Sequence, residues 1–334
     1  MVQRTSLVKA FRALVDAKSK SSWNTVVLEA EKNVGMIDAN DAHSILVAIA
    51  KALKSPVREI HPVRVAQFTI RLVDRILKSP DASFRTKAGT FGLVGRVGID
   101  WSKHVSDAVQ SNFFNELAAS FKNECETHLT SSIDPQTIGY CCESAVLLNL
   151  FSDNLTSVVR DCLLSNPFIP ALALVQFSHY LEHICGEDDL WMNITERIMT
   201  DTESFTGQNL VAILASMRSN GFSNPDCIRN VCSHLKDKAG TLRFSDCVSL
   251  LESVSQSAGH VEDVADVYDL VRSIRRRATV LIITSPTRIP AHEIMRLSGA
   301  LHALSIPTQG PLAWITSSYP LAQLSAGGSQ FITS

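Results

Sequence analysis

The sequence predicts an all-α fold, a right-handed α-solenoid of about seven two-helix repeats. The main observation is a degenerate motif of paired apolar positions and a small residue, which recurs every 33 residues (136 to 169) to 50 residues (86 to 136). Its clearest copies are residues 208–217 (QNLVAILASM) and 245–254 (SDCVSLLESV). Both copies have the apolar periodicity of an amphipathic helix. Self-similarity at this period is typical of helical pairs that stack on their neighbours.

Weaker copies of the motif predict the first helix of each remaining pair. They begin near Asn40, Thr86, Gln136, Ile169 and His292. Apolar residues at three- and four-residue spacing predict the second helices at residues 62–77, 103–121, 154–164, 188–199, 225–236, 261–276 and 311–324. Two helices have a clear predicted start, because Asp134-Pro135 and Asn224-Pro225 each place a capping side chain before a proline.

The first 22 residues differ in composition from the rest of the chain. They contain five Arg and Lys residues and one acidic residue, Asp16, with apolar residues such as Leu7 and Phe11 at helical spacing. This pattern is typical of a mitochondrial presequence, and an ordinary first helix of the array is the alternative. We therefore predict a presequence-like amphipathic helix at 1–22, a helical-repeat array at 23–322 and a C-terminal tail at 323–334.

Net charge and hydropathy limit the classes of function. Residues 1–22 carry +4, so the total charge of −2 leaves −6 for residues 23–334. A body of that charge lacks the overall basic surface of a protein that binds nucleic acid by itself. Because no apolar run reaches about 18 residues, we predict no membrane span.

The cysteines are interpreted as buried thiols. Most of the 8 cysteines lie in apolar helical stretches, and no C-x-x-C pair occurs. Cys227 and Cys232, with His234 close by, are five residues apart and therefore do not share a helical face. This pattern favours free thiols in a reducing compartment over a metal site.

Four glycines recur at every third position, Gly89, Gly92, Gly95 and Gly98. Neither of the glycine-rich phosphate-loop patterns is present, and no strand precedes them. Glycines at this spacing form a smooth face on a helix. We therefore predict close packing of this helix against a neighbouring helix.

Residues 179–183 (HYLEH) match the H-x-x-E-H pattern of one class of zinc peptidase through His179, Glu182 and His183. Two histidines four residues apart share a helical face and could bind zinc, with the glutamate as general base. A catalytic site needs a third protein ligand, and the mixed sheet domain of that class is not evident. A solvated or partner-facing helix edge is therefore favoured. We predict no enzymatic activity, no metal and no cofactor, with a hidden zinc hydrolase as a distant alternative.

Arginines near the C-terminal part of the chain form the one local pattern suited to a polyanion. The candidate RNA-contact residues are Arg272, Arg275, Arg276, Arg277, Arg288 and Arg296. The first four are predicted at a helix C-terminus, where arginine complements the helix dipole and can bind phosphate through paired hydrogen bonds. A solvated last turn is the alternative. With aromatic residues at 7%, sequence-specific reading of single strands is not expected.

The repeat motif also resembles a known group of proteins. Residues 208–228 (QNLVAILASMRSNGFSNPDCI) and their copies resemble organellar helical-repeat proteins of the FAST-kinase-like, octotricopeptide and heptatricopeptide type. In these families a leucine-rich helix ends in small residues, a glycine-aromatic turn follows and a second helix returns. The resemblance implies a function in mitochondrial or plastid RNA metabolism. The chain departs from it in lacking a recognisable C-terminal nuclease-like domain and in its acidic body.

Together these observations favour a non-enzymatic structural subunit or assembly factor of a mitochondrial ribonucleoprotein, above all the mitochondrial ribosome. Such a subunit resides in the matrix, is held by the protein subunits of the complex, and contacts rRNA or other organellar RNA through the arginine patch. No small-molecule substrate is expected. The alternatives are a scaffold of a mitochondrial RNA-editing or processing complex and a cytosolic armadillo- or HEAT-like adaptor that binds peptides.

Overall fold

The computed structural model describes residues 8–11, 23–53, 62–97, 105–256, 265–284 and 289–304. These residues form helices joined by turns, and no strand occurs among them. The predicted all-α class is therefore confirmed for this part of the chain. The chain divides into two compact units, residues 1–177 (unit 1) and 178–334 (unit 2).

Unit 1 is built from helices that pack in consecutive pairs. They are α1 (Trp23–Lys32), α2 (Ala39–Leu53), α3 (Pro62–Leu77), α4 (Phe84–Arg96), α5 (Asp107–His128), α6 (Pro135–Leu148), α7 (Asp153–Ser165) and the larger part of α8 (Ala171–Leu181). A 3₁₀ turn lies at Val34–Met36. Helix α2 packs on α3, α4 on α5, and α6 on α7. Helix α4 also contacts α2 and α6, so the first helices of the three pairs form one row.

Unit 2 is also built from helical pairs, and its helices form two rows. Its helices are α9 (Asp188–Thr200), α10 (Gly207–Asn220), α11 (Pro225–Leu235), α12 (Phe244–Gln256), α13 (Ala265–Thr284) and α14 (Ala291–Ala303), with 3₁₀ turns at Thr202–Ser204 and Ala239–Thr241. Helix α12 contacts both α10 and α14, and α11 contacts both α9 and α13. The two rows are joined by contacts within pairs, between α10 and α11 and between α12 and α13.

Helix starts agree with the capping residues of the sequence. The Asp134 side chain accepts a hydrogen bond from the Thr137 backbone N–H at 3.1 Å, and Asn224 accepts one from the Cys227 N–H at 3.0 Å. In both helices proline follows the cap, where its missing N–H leaves no hydrogen bond unmade. Both predicted starts are therefore confirmed.

The turn after α10 has the glycine-aromatic form that the motif predicts. Gly221 adopts the left-handed conformation (φ 81°) and ends the helix, a conformation that favours glycine because it has no Cβ. The next residue, Phe222, stacks on the buried Trp191 of α9 with ring centroids 6.1 Å apart. The turn therefore also contributes to the core of unit 2.

The glycine-rich helix α4 packs closely on its neighbours, as predicted. A Cβ at Gly92 would lie 3.1 Å from the Glu143 carboxylate of α6, and one at Gly95 would lie 2.9 Å from the Leu147 side chain of the same helix. A Cβ at Gly89 would lie 3.1 Å from the His43 ring. The glycines therefore serve helix packing. Gly98 lies outside the described residues.

Two of the second helices are longer than predicted. Helix α5 continues to His128 and α13 continues to Thr284. In α13, Ile274, Ala278 and Ile282 are all buried at four-residue spacing, so the apolar face of the helix continues beyond residue 276. The helix predicted at 311–324 and the tail at 323–334 lie outside the part that the structure describes.

Of the segment 1–22, the structure describes residues 8–11, which are helical. Phe11 is fully buried and contacts the rings of Trp23 (5.9 Å) and Phe68 (6.2 Å). This is the packing expected of an ordinary first helix, and the presequence remains a prediction. No helix in the described ranges is long and apolar enough to cross a membrane.

Candidate functional site

The arginines at 272–277 lie in the middle of α13. The sequence predicted them at a helix C-terminus, but this helix ends at Thr284, and its last turn contains no basic residue. The effect of the helix dipole is confined to the first and last turns. These arginines therefore act through their own charge and hydrogen bonds alone.

Arg272 and Arg276 are exposed and lie four residues apart, which places them on the same face of α13. Neither guanidinium has a hydrogen-bond or ion-pair partner among the described residues. Each can therefore present its donors to an external phosphate, which guanidinium groups bind through paired hydrogen bonds. These two residues are the core of the candidate site.

The other arginines of α13 are less accessible. The Arg277 Nε donates a hydrogen bond to the Leu242 carbonyl at 3.1 Å and so joins α13 to the segment that precedes α12. Both Arg275 and Arg277 are half-buried. Their role as RNA contacts remains a prediction, and Arg288 lies outside the described residues.

Arg296 belongs to an ion-pair network between the first helices of unit 2. Its Nη2 and Nε lie 2.7 and 2.8 Å from the two carboxylate oxygens of Glu252, which also accepts a bond from Arg218 at 2.5 Å. A further bond of 3.2 Å joins Arg296 to Glu293. The carboxylate therefore links α10, α12 and α14. This geometry favours a packing role for Arg296, because its donors are already used within the protein.

Glu252 is the central charge of this network. Burial of the carboxylate opposes its ionisation, but the hydrogen bonds and charges of Arg296 and Arg218 outweigh that effect and lower the Glu252 pKa from its ordinary value. Because the folded protein binds this proton less tightly than the unfolded chain, the ionised network stabilises the fold above the unfolded pKa. The stabilisation is lost as the pH falls through the lowered pKa of the folded state.

Replacement of Glu252 with glutamine is expected to lower the free energy of unfolding by about 1–3 kcal/mol near neutral pH, since Arg218 and Arg296 lose their interaction with the Glu252 charge. The loss relative to wild type should decrease as the pH falls below the ordinary glutamate pKa of about 4.3. Urea unfolding over a pH series measures both effects. Glu126→Gln is the control, because its pair with Lys122 is exposed and contributes little. A Glu252→Gln penalty that did not change with pH would contradict the assignment.

The zinc-peptidase pattern has no third candidate metal ligand beside it among the residues that the structure describes. The rings of His179 and His183 lie 5.8 Å apart, and both side chains are exposed. Glu182 accepts a hydrogen bond from the Ser216 hydroxyl at 3.0 Å, which joins the turn after α8 to α10. Within the described ranges, no group of three or more His, Cys, Asp or Glu side chains could hold a metal ion.

The thiols of Cys227 and Cys232 are buried, as the sequence predicts. Burial raises the pKa of Cys227 to about 12, so this thiol stays protonated at neutral pH. The Nδ1 atom of the nearby His234 lies 3.3 Å from the Oε1 atom of Glu203. These residues therefore belong to the packing of α11.

Comparisons with protein-family models and with curated proteins find no relative. No family model matches the chain, and no curated protein matches it. The features of this chain that bear on its function are therefore its helical architecture and the α13 arginines.

Proposed function

We propose that this protein is a non-enzymatic structural subunit or assembly factor of a mitochondrial ribonucleoprotein, with the mitochondrial ribosome as the first candidate. It resides in the matrix, is held mainly by neighbouring protein subunits, and contacts rRNA or other organellar RNA through α13. We infer the RNA contact from Arg272 and Arg276, which are both exposed on one face of α13.

We also propose that the helices form a right-handed α-solenoid of about seven two-helix repeats. This arrangement is supported by the row of first helices in each unit and by the row of second helices in unit 2. In these rows each helix contacts its counterparts in neighbouring pairs. Such arrays offer extended surfaces for partners, and their stability depends on contacts between neighbouring repeats. A structural or scaffolding function uses these properties without a catalytic centre.

The charge distribution supports a local RNA contact within a particle. Two guanidinium groups bind phosphates but do not read base sequence. With a total charge of −2, the chain lacks the electrostatic attraction that holds an isolated RNA-binding protein on its target. Protein neighbours therefore supply most of the binding energy, and the arginines fix the position of α13 on the RNA.

The double variant Arg272→Gln and Arg276→Gln is expected to reduce ultraviolet cross-linking of the protein to RNA severalfold in isolated mitochondria, because the phosphate contacts are lost. Incorporation into the particle should persist through the protein contacts. The matched control, Arg71→Gln and Lys122→Gln, removes the same charge from exposed positions of unit 1. Equal cross-linking of wild type and the α13 variant would exclude this face as the RNA contact.

A scaffold of a mitochondrial RNA-editing or processing complex shares these properties. Affinity purification of the tagged protein from mitochondrial lysate, followed by mass spectrometry, distinguishes the two functions through the proteins that accompany the chain. Ribosomal proteins identify the structural subunit or assembly factor, and processing enzymes identify the scaffold.

A groove in unit 1 favours a second candidate function, the armadillo- or HEAT-like peptide-binding adaptor. The groove lies between α3 and α5 and encloses about 230 Å³. Its lining comprises Ile70, Val73, Asp74, Leu77, Val109, Asn112, Phe113, Glu116 and Leu117. Pockets for small molecules usually measure about 300–1,000 Å³, so this groove suits one or two side chains of a peptide. The adaptor predicts a diffuse cytosolic location that does not depend on residues 1–22.

A further inference from the structure

The groove of unit 1 interrupts a row of helices that is closely packed in unit 2. In unit 2 the second helices of neighbouring pairs pack on one another, since α11 contacts both α9 and α13. Between α3 and α5, the corresponding helices of unit 1, lies the groove of about 230 Å³. The groove therefore leaves apolar side chains of this row accessible to a partner.

Each wall of the groove is one face of a helix. The lining residues recur at three- and four-residue spacing, from Ile70 to Leu77 on α3 and from Val109 to Leu117 on α5. The groove therefore follows both helices for about two turns, or about 10 Å. Phe113 and Leu117 are buried, whereas Val109 is 49% exposed and can contact a partner. This length suits two apolar side chains that lie one turn apart on a partner helix.

The polar part of the groove is acidic. Asp74 and Glu116 belong to its lining, and no basic side chain does so among the described residues. The Lys78 Nζ lies 2.6 Å from the Asp74 carboxylate, and the hydrogen bond and charge of Asp74, followed by the charge of Glu116, raise the Lys78 pKa. Glu116 itself is exposed and has no hydrogen bond or ion pair within the described part of the chain. Its charge is therefore the one that a cationic partner can neutralise.

We propose that this groove binds an amphipathic helical segment of another protein, with apolar side chains between α3 and α5 and an adjacent Lys or Arg paired with Glu116. Burial of the apolar side chains supplies most of the affinity, and the ion pair fixes the orientation of the segment. An acidic segment is disfavoured, because its carboxylates meet those of Asp74 and Glu116. The segment belongs to one of the protein neighbours in the proposed function, on which this inference rests.

The probe is a fluorescein-labelled synthetic peptide of about 14 residues, with leucine at three- and four-residue spacing, lysine beside the leucines and alanine elsewhere. Fluorescence anisotropy measures its binding to the purified full-length chain. We expect a Kd on the order of 10–100 μM, as for a small groove that orders a flexible peptide. Peptides with glutamate in place of lysine, or asparagine in place of leucine, should bind about tenfold more weakly or less.

Two variants test the groove itself. Glu116→Lys and Val109→Asn should each weaken peptide binding by about five- to tenfold. Glu126→Lys is the control for charge, because Glu126 is also exposed on α5 but lies about 15 Å further along the helix, beyond the Debye length of about 8 Å. Val280→Asn is the control for the apolar contact, because Val280 is 50% exposed on α13. Both controls should keep the wild-type affinity, and circular dichroism should show that all four variants are folded.

Equal peptide binding by Glu116→Lys and Glu126→Lys would overturn the proposal, as would an acidic peptide that binds as tightly as the basic one. Absence of binding at about 300 μM protein would also exclude it. A wild-type dimer in sedimentation equilibrium that Val109→Asn dissociates would assign the groove to a second copy of the chain. Because the peptide is measured without RNA or lysate, failure to bind it is distinguishable from failure to sediment with a ribonucleoprotein.

Discussion

Replacement of Trp191 with alanine is expected to lower the free energy of unfolding by about 3–5 kcal/mol, the usual cost of removing a large aromatic side chain from a packed core. Trp191 is fully buried in α9, and its ring stacks on Phe222. The indole N–H has no hydrogen-bond partner in the described part of the chain. Trp191→Phe should therefore cost much less than Trp191→Ala, because it keeps most of the apolar contact and breaks no hydrogen bond.

Urea unfolding followed by circular dichroism measures these differences. Phe168→Ala is the control, because Phe168 is 86% exposed and its removal should change the free energy of unfolding by no more than about 0.5 kcal/mol. A Trp191→Ala variant as stable as Phe168→Ala would contradict the placement of Trp191 in the core of unit 2.

Replacement of Gly139 with leucine is expected to destabilise unit 1 by about 1–3 kcal/mol through overpacking, even though leucine favours helices more than glycine does. A Cβ at this position in α6 would overlap the Gln176 amide oxygen and lie 3.3 Å from the Ala173 Cα. Gln176 cannot easily move away, because its amide donates to Glu143 at 2.7 Å and accepts from Gln136 at 2.9 Å. The added side chain must therefore separate the helices or break these bonds.

The matched control is Gly299→Ala in α14. A Cβ there would meet no atom within 4 Å, so the change should raise the free energy of unfolding by about 0.5–1 kcal/mol through helix propensity alone. Thermal and urea unfolding of both variants test the pair. Equal stabilisation by the two substitutions would show that α6 and α8 do not approach at Gly139.

Local signals in the sequence predicted the helices of this fold. Amphipathic periodicity and capping act over one or two turns, so the starts at Asp134 and Asn224 could be predicted from a few neighbouring residues. The spacing of glycines in α4 likewise predicted a close helix contact, because three glycines on one face form a pattern. Gly139 is a single glycine in its helix segment, and it was not predicted to take part in packing.

Contacts between distant residues were not predictable in this way. Glu252 pairs with arginines that are 34 and 44 residues away, and a helical period does not tell which charges of neighbouring helices meet. The sequence therefore grouped Arg296 with the α13 arginines, whereas the structure places it in the Glu252 network.

The length of α13 shows a further limit of sequence patterns. The predicted helix ends at residue 276, and residues 278–284 (ATVLIIT) beyond it are rich in β-branched residues, which have weak helix propensity. Burial of Ala278 and Ile282 overrides this preference in the structure. The consequence for function is that Arg272 and Arg276 lie on the side of a long helix, where they can contact a phosphate backbone along its length.

Sedimentation of the tagged protein from mitochondrial lysate on a sucrose gradient, with and without ribonuclease, tests the proposed function most directly. We expect the protein to co-sediment with ribosomal subunits, and we expect ribonuclease to shift it to lighter fractions together with its protein neighbours. Sedimentation as a small complex whose position does not change with ribonuclease would contradict a ribonucleoprotein subunit and favour the peptide-binding adaptor.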